Sequence, residues 1–156
     1  MKKLNNKGFT IYELLVVILA VFLLSWLALA THNTISVNNR NTERQNRIKK
    51  TQTALEQYYS KNGHYPSLKD INSPDFRNTQ LQGFDQNNLI DPLSKADSSN
   101  VKLSEHPASK VLAYEVTDNN GKSCESDSSL CSKYNLVATY EGKVNKSTVY
   151  IRQNID

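Results

Sequence analysis

The chain is poor in the residues that cross-link or interrupt a fold. Its 156 residues include two Cys, one Met, four Pro and five Gly. So few cysteines exclude a disulfide-dense scaffold and a zinc finger, and so few prolines exclude a Pro-rich linker protein. His32, His64 and His106 are scattered and give no metal-ligand spacing, so no metal or other cofactor is expected. There is no Ser/His/Asp set, phosphate loop or paired-carboxylate site, and no enzymatic activity is expected. Charge of one sign is also scarce. The formal charge is +4, from 19 Lys+Arg against 15 Asp+Glu. Residues 1–8 hold Lys2, Lys3 and Lys7 and no acid, and without them the balance falls to 16 against 15. Net charge alone is therefore a poor argument for nucleic-acid binding.

Apolar residues are concentrated in one block. Residues 9–30 (FTIYELLVVILAVFLLSWLALA) are 22 long, and only Thr10, Glu13 and Ser25 interrupt them. The other 134 residues are about 30% hydrophobic, low for a globular domain, so any folded head must be small. As a helix the block is about 33 Å long, enough for a bilayer core of ~30 Å. Such a block wants lipid or a partner's apolar surface, which excludes an ordinary soluble enzyme. It is too long for a typical secretory signal, and no clear A-x-A site follows it. Trp26 stands near its far end, where interfacial aromatics are common. Arg40, Arg44, Arg47, Lys49 and Lys50 follow, so a literal charge count places the C-terminal side in the cytoplasm.

Residues 9–61 contain no Gly and no Pro. The helix is expected to continue to about Lys61 and to stop at Asn62-Gly63, with Pro66 beyond. A helix of that length, about 80 Å, must project from any small head. Ile48, Leu55 and Tyr59 share one face, with Thr51 and Tyr58 beside them, and make a core-facing stripe. Residues 38–47 (NNRNTERQNR) have no apolar face and read as a solvated stretch. Residues 62–110 read as a loop, with one short capped turn at Ser67–Asp70. Alternation then predicts strands at 111–117, 134–141 and 148–154, the last two joined by GKVNK. Asp118-Asn119-Asn120-Gly121 reads as a turn and not a calcium loop. Most tyrosines are expected in the sheet and core. The expected fold is α+β: a long N-terminal helix, its apolar half projecting, packed by its C-terminal half against a small antiparallel sheet.

Lys7-Gly8-Phe9-Thr10-Ile11-Tyr12-Glu13-Leu14-Leu15 runs directly into the apolar block. A short basic leader ending in Gly, then Phe-Thr-x-x-Glu-Leu-Leu, then a long apolar helix, resembles the type IV pilin and pseudopilin family. The predicted layout of the rest is also pilin-like. Family members often carry Gly and Pro within the apolar helix, and an aliphatic residue where this chain has Tyr12. The resemblance implies a leader at 1–8, a transmembrane and assembly helix at 9–30, and its continuation at 31–61. An αβ loop at 62–110 and the sheet of the head at 111–156 would follow. It implies cleavage between Gly8 and Phe9 by a membrane-embedded prepilin peptidase, N-methylation of Phe9, and a head outside the membrane.

Glu13 would then be an acid within an insertion segment, at a cost of roughly 2.5–3.5 kcal/mol. It lies one turn from the amine that cleavage creates at Phe9. Pairing with the amine of a neighbouring subunit would offset that cost and fix the axial register of assembly. In an oxidising exterior, a Cys124–Cys131 disulfide would close a six-residue loop and contribute about 2.5 kcal/mol on the chain-entropy model. The implied partners are further copies in a filament, the peptidase and the membrane assembly machinery. A surface or DNA ligand of the head, in adhesion, twitching motility or DNA uptake, has no readable code. Two alternatives stand beside a filament subunit. One is a minor pilin or pseudopilin of a secretion or competence system. The other is a single-pass anchored binding protein that keeps its leader.

Overall fold

The computed structural model describes residues 9–95, 97, 101–124 and 131–155. Helix α1 (Ile11–Asn62) runs for 52 residues, and the absence of Gly and Pro explains its continuity. It stops where expected. Gly63 takes φ +75°, and its N–H donates to the Tyr59 carbonyl at 2.7 Å, an αL cap that other residues enter only with strain. Contacts divide the chain into two compact units, residues 1–39 and 40–156.

In the first unit the apolar side chains of α1 are uncovered. Every large hydrophobic residue from Leu14 to Leu29 is more than half exposed. The segment is long and apolar enough to cross a membrane.

The second unit holds the core. Residues 40–62 of α1 are followed by α2 (Leu68–Asn72), α3 (Pro74–Gln80) and a 3₁₀ turn (Gln86–Leu89). Strands β1 (Ala113–Thr117), β2 (Lys133–Val144) and β3 (Ser147–Gln153) then form an antiparallel sheet in the order β1-β2-β3. The class is α+β, as the sequence predicts. Tyr114, Val116, Tyr134, Leu136 and Ala138 line one sheet face and share a core with Ile48 and Leu55 of α1. Tyr65, Ile71, Leu89 and Leu103 from the connecting segment complete it. At its far edge β1 is covered by Ser104, which exchanges backbone bonds with Leu112 and Tyr114.

Four expectations change in detail. The core stripe of α1 closes with Ala54 and Tyr58, whereas Tyr59 is 39% exposed and stacks on Tyr65. Residues 62–110 are more helical than their Pro, Asn and Ser content suggests, because Ser67, Ser73 and Asp85 each cap a short turn. GKVNK is not a loop. Strand β2 extends to Val144, and only Asn145-Lys146 turn, both with positive φ, in a two-residue hairpin. Finally, residues 38–47 are not uniformly solvated, since Asn41 and Arg44 are buried.

Candidate functional site

At its N-terminus α1 closes on itself. Thr10 precedes the first helical residue and Glu13 lies three residues on, the T-x-x-E spacing of a capping box. The Glu13 N–H donates to Thr10 Oγ1 at 3.3 Å. In return Glu13 Oε2 accepts from the Thr10 N–H at 2.7 Å and from Thr10 Oγ1 at 2.9 Å. The carboxylate expected to stand alone in an apolar segment therefore holds two donors of its own first turn. Both fall on Oε2. Oε1 has no bond among the described residues. Phe9, one residue before the cap, is 86% exposed. Gly8, the expected cleavage residue, lies outside the described residues. The signal for this capping box is local, the Thr10-x-x-Glu13 spacing itself.

The other polar concentration is internal to the second unit. Strand β2 carries a bulge: residues 140–143 stand opposite Thr148 alone, between the pairs Thr139–Val149 and Val144–Ser147. Gly142 accommodates it with φ +79°. Strict alternation would turn Glu141 away from the helix, since Tyr134, Leu136, Ala138 and Tyr140 take the helix side. The bulge re-aims Glu141 onto α1. Arg40 Nε and Nη2 both reach its carboxylate at 2.7 Å, and Arg44 Nη1 reaches Oε1 at 2.8 Å. Arg44, buried, also forks onto the buried Asp91 (2.6 and 3.0 Å) and donates to Asn41 Oδ1 at 2.8 Å.

Asn41 replaces a missing strand partner. Its Nδ2 donates to the Glu141 carbonyl at 3.2 Å and its Oδ1 accepts from the Glu141 N–H at 3.0 Å. The bonds from Arg40, with those from Arg44, hold the Glu141 carboxyl down at about 2. Arg47 adds an ion pair to Glu43 and donates to the Asn87 and Ile90 carbonyls. The solvated reading of this face is thus corrected at Arg40, Asn41, Arg44 and Arg47. A polar stretch with no apolar stripe can pack if its partners are carboxylates and carbonyls, and apart from Glu43 those lie 40 or more residues away in sequence.

Glu56 is a second buried-edge acceptor. Its carboxylate takes the Tyr134 hydroxyl (2.7 Å), the Tyr65 hydroxyl (3.0 Å) and the Ile155 N–H (3.2 Å), which ties the C-terminal segment to α1. Burial, and then the bond to Glu56, raises the Tyr134 phenol above its ordinary range. Cys124 and Cys131 are both buried in the core, with Cys131 Sγ 3.9 Å from the Cys124 carbonyl. The loop they bracket, 125–130, lies outside the described residues. Asp118 forms the expected turn. Its Oδ1 accepts from the N–H groups of Asn120 and Lys122 at 2.8 Å each. Among the described residues no cluster could hold a metal ion.

Compared with known proteins, the chain stands apart: no family model, no curated protein and no solved structure matches it.

Proposed function

We propose that the chain is a non-enzymatic structural subunit of a type IV pilus-like filament. It is inserted in the cytoplasmic membrane as a single-pass precursor, cut between Gly8 and Phe9, N-methylated at Phe9, and polymerised through α1 into a surface filament. The observation that carries this reading is the uncovered apolar surface of residues 14–29, which begins directly after a carboxylate whose Oε1 has no bond among the described residues. Uncovered apolar surface on this scale calls for a partner. Lipid fills that role before assembly, and the helices of neighbouring copies fill it afterwards. Glu13 Oε1 is left for the Phe9 amine of an adjoining copy, while Oε2 keeps its bonds to Thr10. Cys124 and Cys131 are not bridged in the structure, and their oxidation to the staple an oxidising exterior favours is part of this proposal.

The test is the N-terminus of the mature chain. It should begin at Phe9, with one added methyl group on the amine, and Gly8→Leu should leave full-length protein in the membrane without filaments. A mature chain that keeps residues 1–8 would favour an anchored binding protein and overturn the filament reading.

A further inference from the structure

The sequence contains two Asn-Gly pairs, Asn62-Gly63 and Asn120-Gly121. An asparagine side chain followed by glycine is open to attack by the next backbone nitrogen, because no Cβ on the glycine shields that nitrogen. Exposure and backbone sign do not separate the two pairs. All four residues are exposed, and the glycines take φ +75° and +80°. Hydrogen bonds do separate them.

Asn62 is the last residue of α1, and both reacting groups are held there. Its Nδ2 donates to the Tyr58 carbonyl at 2.9 Å, and the Gly63 N–H donates to the Tyr59 carbonyl at 2.7 Å. Tyr58 and Tyr65 on either side are buried, and the Tyr65 N–H is tied to the Cys131 carbonyl at 2.9 Å. Movement of this pair therefore disturbs the core. Asn120 stands in the turn Asp118–Gly121, and its side chain has no bond among the described residues. The Gly121 N–H makes one bond, of 3.1 Å, to the Asp118 carbonyl, and the Asn120 N–H goes to Asp118 Oδ1 at 2.8 Å. Everything that restrains this pair comes from Asp118, inside the same turn.

We infer that Asn120 is a site of spontaneous covalent modification, losing its side-chain amide through a cyclic imide, and that Asn62 is spared. The Gly121 nitrogen attacks Asn120 Cγ, a new C–N bond closes the imide ring, and the Cγ–Nδ2 bond breaks. Nδ2 leaves as ammonia, taking the proton given up by the Gly121 nitrogen. Water then opens the ring at either carbonyl. One opening leaves an aspartyl residue at 120 with the main chain restored. The other leaves an isoaspartyl residue, with the main chain routed through Cβ. The sequence of steps needs water alone, with no oxidant, reductant or enzyme. Both products place a carboxylate beside Asp118 and beside Asn119, which lines a cleft with Tyr59, His64 and Lys133. The isoaspartyl form also lengthens the main chain, which pulls apart the two 2.8 Å bonds that bring the Asn120 and Lys122 N–H groups to Asp118 Oδ1. The turn opens at its apex, while the base stays held by the Cys124 N–H to the Val116 carbonyl and the Ser132 N–H to the Thr117 carbonyl, at 2.9 Å each. The inference stands on the second unit alone and does not need the filament reading to be right.

The experiment ages the full chain in detergent at neutral pH and physiological temperature and follows both sites by peptide mass spectrometry, with chromatography to separate aspartyl from isoaspartyl forms. Deamidation should accumulate at Asn120 at least about tenfold faster than at Asn62, since Asn62 has one more hydrogen bond to break and a helix end to leave. In the chain unfolded by urea the two rates should converge to within about twofold, because the contacts that protect Asn62 are gone. Isoaspartyl peptide should appear at 120 and be suppressed in Asn120→Gln. In the aged folded chain, amide exchange should quicken at Asn120 and Lys122 and stay unchanged at Tyr65. Equal rates at the two sites in the folded chain, a preference for Asn120 no larger than in urea, an Asn120 that reacts in urea and stays intact in the folded chain, or an aspartyl product without the isoaspartyl form would overturn the assignment.

Discussion

Residues 14–29 and residues 40–58 belong to one helix and reverse the usual placement of side chains. In the first stretch leucine, isoleucine, valine and phenylalanine are exposed. In the second, Asn41, Arg44 and Thr51 are buried beside Ile48 and Leu55. The difference lies in what each stretch has to meet. The first has no cover in its own unit among the described residues, and the proposed cover is lipid or other copies. The second meets carboxylates and carbonyls supplied by a bulged strand and a loop. Hydrophobicity therefore marks the surface that seeks other molecules, and charge marks part of the interior.

The largest test of that contrast is at Glu13. Glu13→Val should leave processing at Gly8 intact and abolish filaments, read by electron microscopy of sheared surface material; filaments at wild-type yield would remove Glu13 from assembly. Next comes the interior charge. Asp91→Ala strands Arg44 without its buried partner and should cost about 3–5 kcal/mol in denaturant unfolding of the full chain in detergent, followed by near-ultraviolet tyrosine signals. Replacing both partners, as Arg44→Met with Asp91→Leu, should cost much less, because no lone charge is left. Asn41→Ala should cost about 1–3 kcal/mol by exposing the Glu141 backbone groups to an apolar methyl.

Acid should act in the same direction. Glu141 sits at about 2 in the folded chain. Its contribution is present above the ordinary carboxylate range, near 4.5, and is lost as pH falls from there towards 2. Unfolding midpoints should drop over that window, and in Glu141→Gln the drop should shrink. The smallest effect is expected at the other end of α1. Thr10→Val removes one side of the capping box and should cost about 0.5–2 kcal/mol of helix stability, seen as faster amide exchange confined to the first turn.

Much of the fold was legible because its signals are local. The Gly63 stop and the Ser67 cap depend on neighbours in sequence and are found where expected; of the strand expected at 111–117 the structure keeps 113–117, and the alternation expected over 134–141 holds as far as Tyr140. The candidate sites were less legible for the opposite reason. Arg44 meets Asp91 and Glu141 across 47 and 97 residues, and nothing in NNRNTERQNR announces either partner. Glu141 reaches the helix only because a bulge breaks the two-residue period, and periodicity assigns it to the wrong side. Tyr59 was misplaced for a related reason, since the next turn ends at Gly63 and leaves its ring to stack on Tyr65. Thr10 is the exception, since its T-x-x-E spacing with Glu13 is a local signal.

The clamp on Glu141 also bears on how the hairpin can vary. Asn41 and the two arginines grip β2 at Glu141, upstream of its tip, so beyond the clamp the hairpin is closed only by its own Val144–Ser147 pair. Insertions there should lengthen an overhang without loosening the sheet. Two copies of this design could therefore share a rigid scaffold while presenting different outer ribs to their surroundings.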